Sequence, residues 1–354
     1  MARDFMCTKT EPVVQTKAGK LRGFRIDGVY AFHGVKYADA KRFQQPEPVQ
    51  PWEGIKNALA YGYVCPMLKQ DEPNNELMVP HRYWPLDENC QYLNIWTKSL
   101  DPSAKKPVLV WLHGGGFAAG SSIEHIAYEG ENMSRYGVSL NPRLNILGYL
   151  DLSPFGEKYA NSGNAGSADM VAALQWIHDN IAGFGGDPDN VTLFGQSGGG
   201  MKVWTLMQTP AADGLFHKGI VQSGCIDGVL DLSKSDGTAI VTALMQALGV
   251  DNVEALETVP YAQLAEAYNR VMPEVAKTGA YVGGNPMPND WYLGDPCVIG
   301  FTEHAKTIPV MVGTVLGEFA FMPALSEAEK ADKAGIAARL RKMYGDDAEK
   351  LQAL

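Results

Sequence analysis

The sequence has few cysteines and no long apolar run, and these absences limit the class of protein. The cysteines, five in 354 residues, are Cys7, Cys65, Cys90, Cys225 and Cys297. None of them forms a C-x-x-C pair, which argues against a disulfide scaffold and favours reduced structural thiols. No segment approaches the ~18 apolar residues of a membrane-spanning helix, and the N-terminus has no apolar stretch of signal-peptide length. We therefore expect a cytoplasmic protein without a membrane partner.

Clusters of basic residues are also missing. The chain has 30 Lys and Arg against 40 Asp and Glu, which gives a net charge of −10. The basic pairs at Lys105-Lys106 and Arg341-Lys342 are short. Because neutralising phosphates requires clustered Lys and Arg, we expect no nucleic-acid partner.

Strand-like and helix-like segments alternate along most of the chain. "KKPVLVWL", "NVTLFG" and "IPVMVGTV" are predicted to be buried strands, and "GNAGSADMVAALQWIHDNIAGFGG" has apolar residues at helical spacing. This alternation indicates an α/β fold with a mostly parallel central sheet and helices on both faces. "VVQTKAGKLRGFRIDGVYAFHGVKYA" predicts small N-terminal antiparallel hairpins. Since no repeat or linker interrupts the pattern, we expect a single domain over residues 1–354.

Ser197 lies in the segment "GQSGG", residues 195–199, which fits the pattern G-x-S-x-G. The segment follows a predicted strand and precedes a helix-like stretch, which is the context of a nucleophile elbow. Glycines are needed there because the serine sits on a sharp, strained turn. The N–H groups at the start of the following helix favour a developing oxyanion. The pattern also occurs by chance in glycine-rich turns, so it needs support from elsewhere in the chain.

A second glycine-rich segment, "HGGGF" at residues 113–117, supplies that support. It follows another predicted buried strand, and its glycines allow backbone amides to approach a tetrahedral oxyanion. A segment of this type accompanies G-x-S-x-G in lipases and esterases. We interpret His113 as a structural hydrogen-bonding residue beside this loop and not as a catalytic base.

Several longer segments resemble one branch of the α/β-hydrolases. They are "FHGVKYADAKRFQQPEP", "ENCQYLNIW", "PVLVWLHGGGFAAGS", "NPRLNILGYLDL" and "GNAGSADMVAALQWIHDNIAGFGGDPDNVTLFGQSGGG". Together they resemble the type-B carboxylesterase and cholinesterase-like family, in particular bacterial para-nitrobenzyl-type esterases. Esterases that are similar to hormone-sensitive lipase share the HGGG segment, but the "GVKYADAKRF" segment fits the type-B branch better.

The resemblance implies an α/β-hydrolase fold and a set of site residues. Ser197 would be the nucleophile, and the amides of Gly115, Gly116 and Gly198 would form the oxyanion hole. In the family an acidic residue follows a later strand, and here "PVMVGTVLGEFAF" places Glu318 at that point. A carboxylate there would orient an imidazole and stabilise its protonated form. Because no His, Asp or Glu cluster has ligand spacing, we expect neither a metal nor an organic cofactor.

The family order of the triad is Ser, Asp or Glu, then His, and no histidine follows Glu318 in this chain. The sequence therefore resembles the N-terminal two-thirds of an esterase, and we expect the C-terminal part of the fold to be missing. His304 could in principle be recruited as the base, but it precedes the strand "IPVMVGTV", and we expect this position to place it at the wrong end of that strand.

Further departures and resemblances concern structural residues. In "SRYGVSLNPRLN" only "VSL" remains of a central strand, and Pro142 cannot donate to a sheet ladder. Either the alignment with the family shifts locally or the sequence is damaged there, and a shortened central strand is expected to cost stability. Cys65 and Cys90 stand where secreted relatives have a disulfide, and we favour free thiols. Arg42 and Glu88 resemble a structural ion pair of the family, as does Arg143 with an unassigned acidic partner.

The sequence thus predicts hydrolysis of a small carboxylic ester in two steps through an acyl-enzyme on Ser197. The alternative is a cholinesterase-like binding protein, or an inactive esterase fragment, that keeps the fold without catalysis.

Overall fold

In the computed structural model, the described residues are 3–69, 84–133, 136–224 and 235–318, with 334–335, 337–338, 341, 345 and 348–352. The chain divides into two units, Met1–Gly313 and Thr314–Leu354. The sheets belong to the first unit, and a short helix near the end of the chain belongs to the second. A single domain over residues 1–354 stays a prediction. The pattern of "SEAEKADKAGIAARLRKMYGDDAEKLQAL", residues 326–354, predicts an amphipathic helix, and most of this segment lies outside the described residues.

The strands form where apolar residues alternate with polar ones or run together between turns. They are β1 Phe5–Met6, β2 Val13–Gln15, β3 Lys20–Arg22, β4 Phe24–Ile26, β5 Val29–Lys36, β6 Ala38–Asp39, β7 Glu47–Pro48, β8 Ile55–Asn57, β9 Tyr92–Thr97, β10 Lys106–Leu112, β11 Tyr136–Asn141, β12 Gly186–Gln196, β13 Lys218–Gln222 and β14 Val310–Gly313.

The helices form where apolar residues recur every three or four positions. They are α1 Gly130–Met133, α2 Asn145–Tyr149, α3 Ala165–Asn180, α4 Gly198–Met207, α5 Thr238–Leu248, α6 Tyr261–Lys277, α7 Pro296–Ile299 and α8 Ala348–Gln352. In α3 the residues Met170, Leu174 and Ile177 are fully buried, as their spacing predicts. Within the residues that the structure describes, no helix is long and apolar enough to cross a membrane.

Nine of the described strands form one mixed sheet in the order β1-β4-β5-β9-β11-β10-β12-β13-β14. The strands from β11 to β14 in this order pair in parallel, as predicted for the part of the sheet that carries Ser197. The N-terminal hairpin β4–β5 is antiparallel, and it extends the same sheet through β9. The main core lies between this sheet and its helices and includes Phe32, Val110, Ile177 and Leu193. A second core joins α5 and α6.

Two expectations about strands were wrong. The central strand β11 is not reduced to three residues, because all six of its residues pair with β9 and it ends at Asn141, before Pro142. Strand β14 is not buried, since Met311 is 68% exposed and Val312 is 51% exposed. The reason is its position: β14 is the last strand in the order of the sheet, and its one pairing among the described residues is with β13.

Candidate active site

Ser197 occupies the turn between β12 and α4, and its backbone is strained. Its φ is 54° and its ψ is −125°, in the half of conformational space that favours glycine. Such a conformation costs about 1–3 kcal/mol and persists when the surroundings enforce it. Here Ser197 N donates to the Gln222 carbonyl at 2.8 Å, and Ser197 O accepts from Met201 N at 3.1 Å. The strand–turn–helix context expected for a nucleophile elbow is therefore present.

The glycines on either side of Ser197 are required by close backbone approach. A methyl group on Gly195 would overlap the backbone of Gly199, and one on Gly199 would overlap the Leu112 carbonyl of the neighbouring strand. The first glycine lets the strand pass the start of α4, and the second lets α4 lie against β10. The spacing of the G-x-S-x-G pattern thus follows from the packing of this turn.

Gly199→Ala is expected to lower the free energy of unfolding by about 3 kcal/mol, because the added methyl meets backbone that cannot move aside. Urea unfolding followed by tryptophan fluorescence would measure the loss. The matched control is Gly137→Ala on β11, where the nearest atom to the new methyl is 4.0 Å away. The control is expected to change stability by no more than about 1 kcal/mol. Equal stability of the two variants would contradict the packing argument.

The glycine loop after β10 lies against the elbow. Gly115 and Gly116 have φ of 84° and 61°, which side-chain-bearing residues rarely adopt. A methyl group on Gly198 would overlap the backbone of Gly116, including its amide nitrogen, and a Cβ on Gly114 would lie 3.7 Å from the Ser197 Cβ. The structure therefore brings the predicted oxyanion-hole glycines Gly116 and Gly198 into contact beside Ser197, with Gly115 in the same loop.

His113 is buried beside this loop, as interpreted from the sequence. Its Nδ1 lies 2.8 Å from the Gly114 carbonyl, to which it donates as the neutral imidazole. Burial and the nearby Lys202 charge lower the pKa of His113 well below its ordinary value. The ring is thus a neutral hydrogen-bond donor to the loop.

Sequence reasoning missed Lys202, which is buried on α4. Its Nζ donates to the carbonyls of His113 at 3.0 Å and Gly116 at 2.7 Å. The signal in the sequence is a single lysine between Met201 and Val203, at the apolar start of the helix.

Glu318 belongs to the second unit of the chain, which begins at Thr314. Its side chain is exposed, and its Oε1 accepts a hydrogen bond from Val315 N at 3.1 Å. Its role as the triad acid stays a prediction.

His304 lies at the amino-terminal edge of the parallel strands. It comes just before β14, and its Nε2 is 3.6 Å from the carboxylate of Asp213, which precedes β13. Ser197 follows β12 and so lies at the carboxyl-terminal edge. Because β12, β13 and β14 run in parallel, the two residues stand at opposite edges of the sheet, as the sequence predicted.

Both structural ion pairs are present. Arg42 Nε donates to Glu88 at 2.6 Å, and Arg42 also binds the carbonyls of Leu256 and Val259. The partner of Arg143 is Asp169 on α3, at 2.7 Å, and the pair is fully buried.

Cys65 and Cys90 are buried free thiols. Burial, together with the neighbouring Cys65, raises the pKa of Cys90 well above its ordinary value, which disfavours a reactive thiolate.

Within the described part of the chain, no group of three or more His, Cys, Asp or Glu side chains could hold a metal ion.

Comparison with known families identifies the family of this chain. The model of the carboxylesterase family matches residues 10–350, which include the elbow and the glycine loop. The chain belongs to the carboxylesterase family. As the resemblance implied, its relatives include para-nitrobenzyl esterases, and its fold is the α/β-hydrolase fold of solved carboxylesterases.

Two curated relatives and one solved structure are similar to this chain along most of its length. The para-nitrobenzyl esterase of Bacillus subtilis is 38% identical over 321 residues, which cover 87% of this chain and 63% of that protein. The phenmedipham hydrolase of Pseudarthrobacter oxydans is 35% identical over 96% of this chain and 68% of its own length. A Clostridium hathewayi esterase that can hydrolyse aliphatic aromatic polyesters matches with a TM-score of 0.87 and 58% identity, over 99% of this chain and 71% of that one. The chain thus spans about two thirds of the length of these relatives.

Proposed function

We propose that this protein hydrolyses carboxylic esters, with Ser197 as the nucleophile. The observation that carries the proposal is the contact between Gly116 and Gly198 beside a serine held at φ 54°. In this proposal the backbone amides of these two separate segments bind the ester carbonyl oxygen as it becomes an oxyanion. Membership of the carboxylesterase family supports the choice of esters as the substrate class.

In the proposed reaction the Ser197 hydroxyl oxygen attacks the ester carbonyl carbon, and its proton passes to a general base. Glu318 is the proposed acid that orients this base, and no histidine follows Glu318 in the chain. The amides of Gly115, Gly116 and Gly198 bind the negative oxygen of the tetrahedral intermediate, and each is expected to be worth ~3 kcal/mol. As the intermediate collapses, the bond between the carbonyl carbon and the alkoxy oxygen breaks, the base returns its proton to that oxygen, and an acyl-enzyme remains on Ser197. Water then attacks the acyl carbon and releases the acid. The proposal requires no metal or organic cofactor.

The proposed substrates are small-molecule esters, and para-nitrophenyl acetate and butyrate are the first to test. Aliphatic aromatic polyesters join them as candidates because the Clostridium hathewayi relative can hydrolyse them. A cytoplasmic location and the absence of nucleic-acid and membrane partners stay predictions from the sequence.

A fluorophosphonate probe tests the proposal directly, because an activated serine displaces its fluoride and keeps the phosphonyl group. We expect the full chain to be labelled on the peptide that contains Ser197. Ser223 provides an internal control, since it also has a positive φ, 51°, and lies at the end of the neighbouring strand β13. If Ser197 is labelled and Ser223 is not, the reactivity of Ser197 comes from activation of its hydroxyl group and not from a strained backbone alone. A protein that keeps the fold for binding would not be labelled, which would overturn the proposal.

A further inference from the structure

Lys202 is a buried cation close to the proposed oxyanion hole. It lies on α4, five positions after Ser197, and it is 1% exposed. Lysine is almost never buried to this degree without partners, because its ammonium group loses its hydration. The contacts of Lys202 therefore indicate what offsets the cost of burying its charge.

The partners of Lys202 belong to the glycine loop after β10. Its Nζ donates to the His113 carbonyl at 3.0 Å and to the Gly116 carbonyl at 2.7 Å. The same nitrogen lies 5.5 Å from the centre of the Phe117 ring, within the range of a cation–π contact. The buried carboxylate of Glu124 supplies negative charge nearby.

The two carbonyls that bind Lys202 lie on either side of the peptide groups that would form part of the oxyanion hole. The His113 carbonyl shares a rigid peptide group with the Gly114 amide, and the Gly116 carbonyl shares one with the Phe117 amide. Between them lie the two peptide groups that carry the Gly115 and Gly116 amides. Lys202 thus fixes both ends of a segment whose glycines would otherwise allow many conformations.

Two further hydrogen bonds fix the carbonyls that lie between those two ends of the segment. His113 Nδ1 donates to the Gly114 carbonyl, and Ala119 N donates to the Gly115 carbonyl at 3.0 Å. The Lys202 charge also helps to keep His113 neutral. A neutral imidazole can hold the Nδ1–H tautomer that this hydrogen bond requires.

We propose that Lys202 is a positioning residue, whose ammonium group holds the Gly114–Gly116 loop in the conformation that binds the oxyanion. The inference rests on the proposed function for its catalytic consequence, but the loop contacts themselves do not depend on it. Lys202 acts through the loop and does not touch the reacting atoms.

The charge of Lys202 is expected to change near neutral pH. Burial lowers its pKa to about 7, while Glu124 opposes the shift. The titratable groups that face it are Glu124 and His113. Loss of the proton removes one N–H and the charge that strengthens both hydrogen bonds. The loop should therefore loosen as the pH rises through 7.

The first test is hydrogen–deuterium exchange of residues 113–120 at pH 6, in the full chain and in Lys202→Met. Loss of both anchoring hydrogen bonds is expected to speed exchange of this segment at least ten-fold, while α3 stays unchanged. Thr205→Val is the matched control, because it removes a buried hydroxyl of the same helix that binds Met201 O and not the loop. Unchanged exchange of residues 113–120 in Lys202→Met would overturn the inference.

A second test uses activity with para-nitrophenyl butyrate. Lys202→Met is expected to lower kcat about 100-fold with KM changed less than two-fold, since a displaced oxyanion donor affects the transition state selectively. The ratio of the wild-type kcat to the variant kcat should fall between pH 6 and pH 8. A variant with unchanged kcat, or with a constant ratio, would contradict the catalytic part of the inference. If the wild type shows no turnover, the proposed function fails, and the exchange experiment alone decides the role of Lys202.

A third test needs no substitution at Lys202, in case the methionine variant does not fold. After correction for the chemical exchange rate, exchange of residues 113–120 in the wild type should quicken as the pH rises through 7. Glu124→Gln removes the negative charge that favours the ammonium form, so it should shift this transition to lower pH. A transition that is absent, or that does not move in Glu124→Gln, would overturn the inference.

Discussion

Replacement of Ser197 with alanine is expected to lower kcat for para-nitrophenyl butyrate by at least ~10⁴-fold, a loss typical of a removed nucleophile. Alanine has the same Cβ as serine, so it leaves the strain at φ 54° unchanged, and the melting temperature should stay within about 2 °C. A loss of activity at constant stability would therefore report chemistry and not unfolding. Initial rates with the purified full chain, normalised to folded protein, measure it.

Ser103→Ala is the control for the Ser197 variant, because Ser103 is an exposed serine outside the site. It should retain the wild-type rate. Equal turnover by the wild type and Ser197→Ala would show that hydrolysis does not use this serine. Turnover by neither protein would favour the alternative in which the fold is kept without catalysis.

The parts of the site that the sequence predicted are those that depend on local sterics. The glycines in the pattern around Ser197 are needed because the backbones of β12, α4 and β10 lie very close together. A Cβ at Gly195 or Gly199 would overlap that backbone. A short pattern can therefore specify the turn. The "HGGGF" segment also specifies its own local conformation, because Gly115 and Gly116 adopt φ values that other residues avoid. The chemical roles of these residues stay predictions.

The parts that the sequence did not predict depend on contacts between distant segments. A lysine in a helix is ordinarily exposed, and Lys202 is buried only because carbonyls of the glycine loop lie above α4. Similarly, nothing near Arg143 in the sequence identifies Asp169 as its partner, because helix packing brings them together.

Strand β14 shows a different limit. Its apolar residues suggested a buried strand, but burial depends on neighbours on both sides and on both faces. The hydrophobic pattern of a single strand does not contain that information. The exposure of Met311 and Val312 follows from the order of the strands, which local sequence does not determine.

The Arg143–Asp169 pair is expected to be the electrostatic contact on which stability depends most. The guanidinium donates twice to the carboxylate, at 2.8 and 2.7 Å, and Arg143 N donates to it at 2.9 Å. Arg143 Nη1 also binds the carbonyls of Lys41 and Gln44. The pair thus joins the chain after β11 to α3 and to the loop that follows β6.

Asp169→Asn is expected to lower the free energy of unfolding by about 3–5 kcal/mol, because it leaves a buried guanidinium without its counter-charge. The amide keeps the shape of the side chain, so the loss reports charge and hydrogen bonding and not a cavity. Urea unfolding at pH 7 would measure it. The matched control is Glu274→Gln, which breaks the ion pair with Lys277, where both side chains are about 70% exposed.

The control should change stability by less than about 1 kcal/mol, since exposed pairs are solvated in both states. An equal loss in the two variants would mean that burial adds nothing to the Arg143 pair. A loss confined to Asp169→Asn would show that this pair holds the end of β11 against α3.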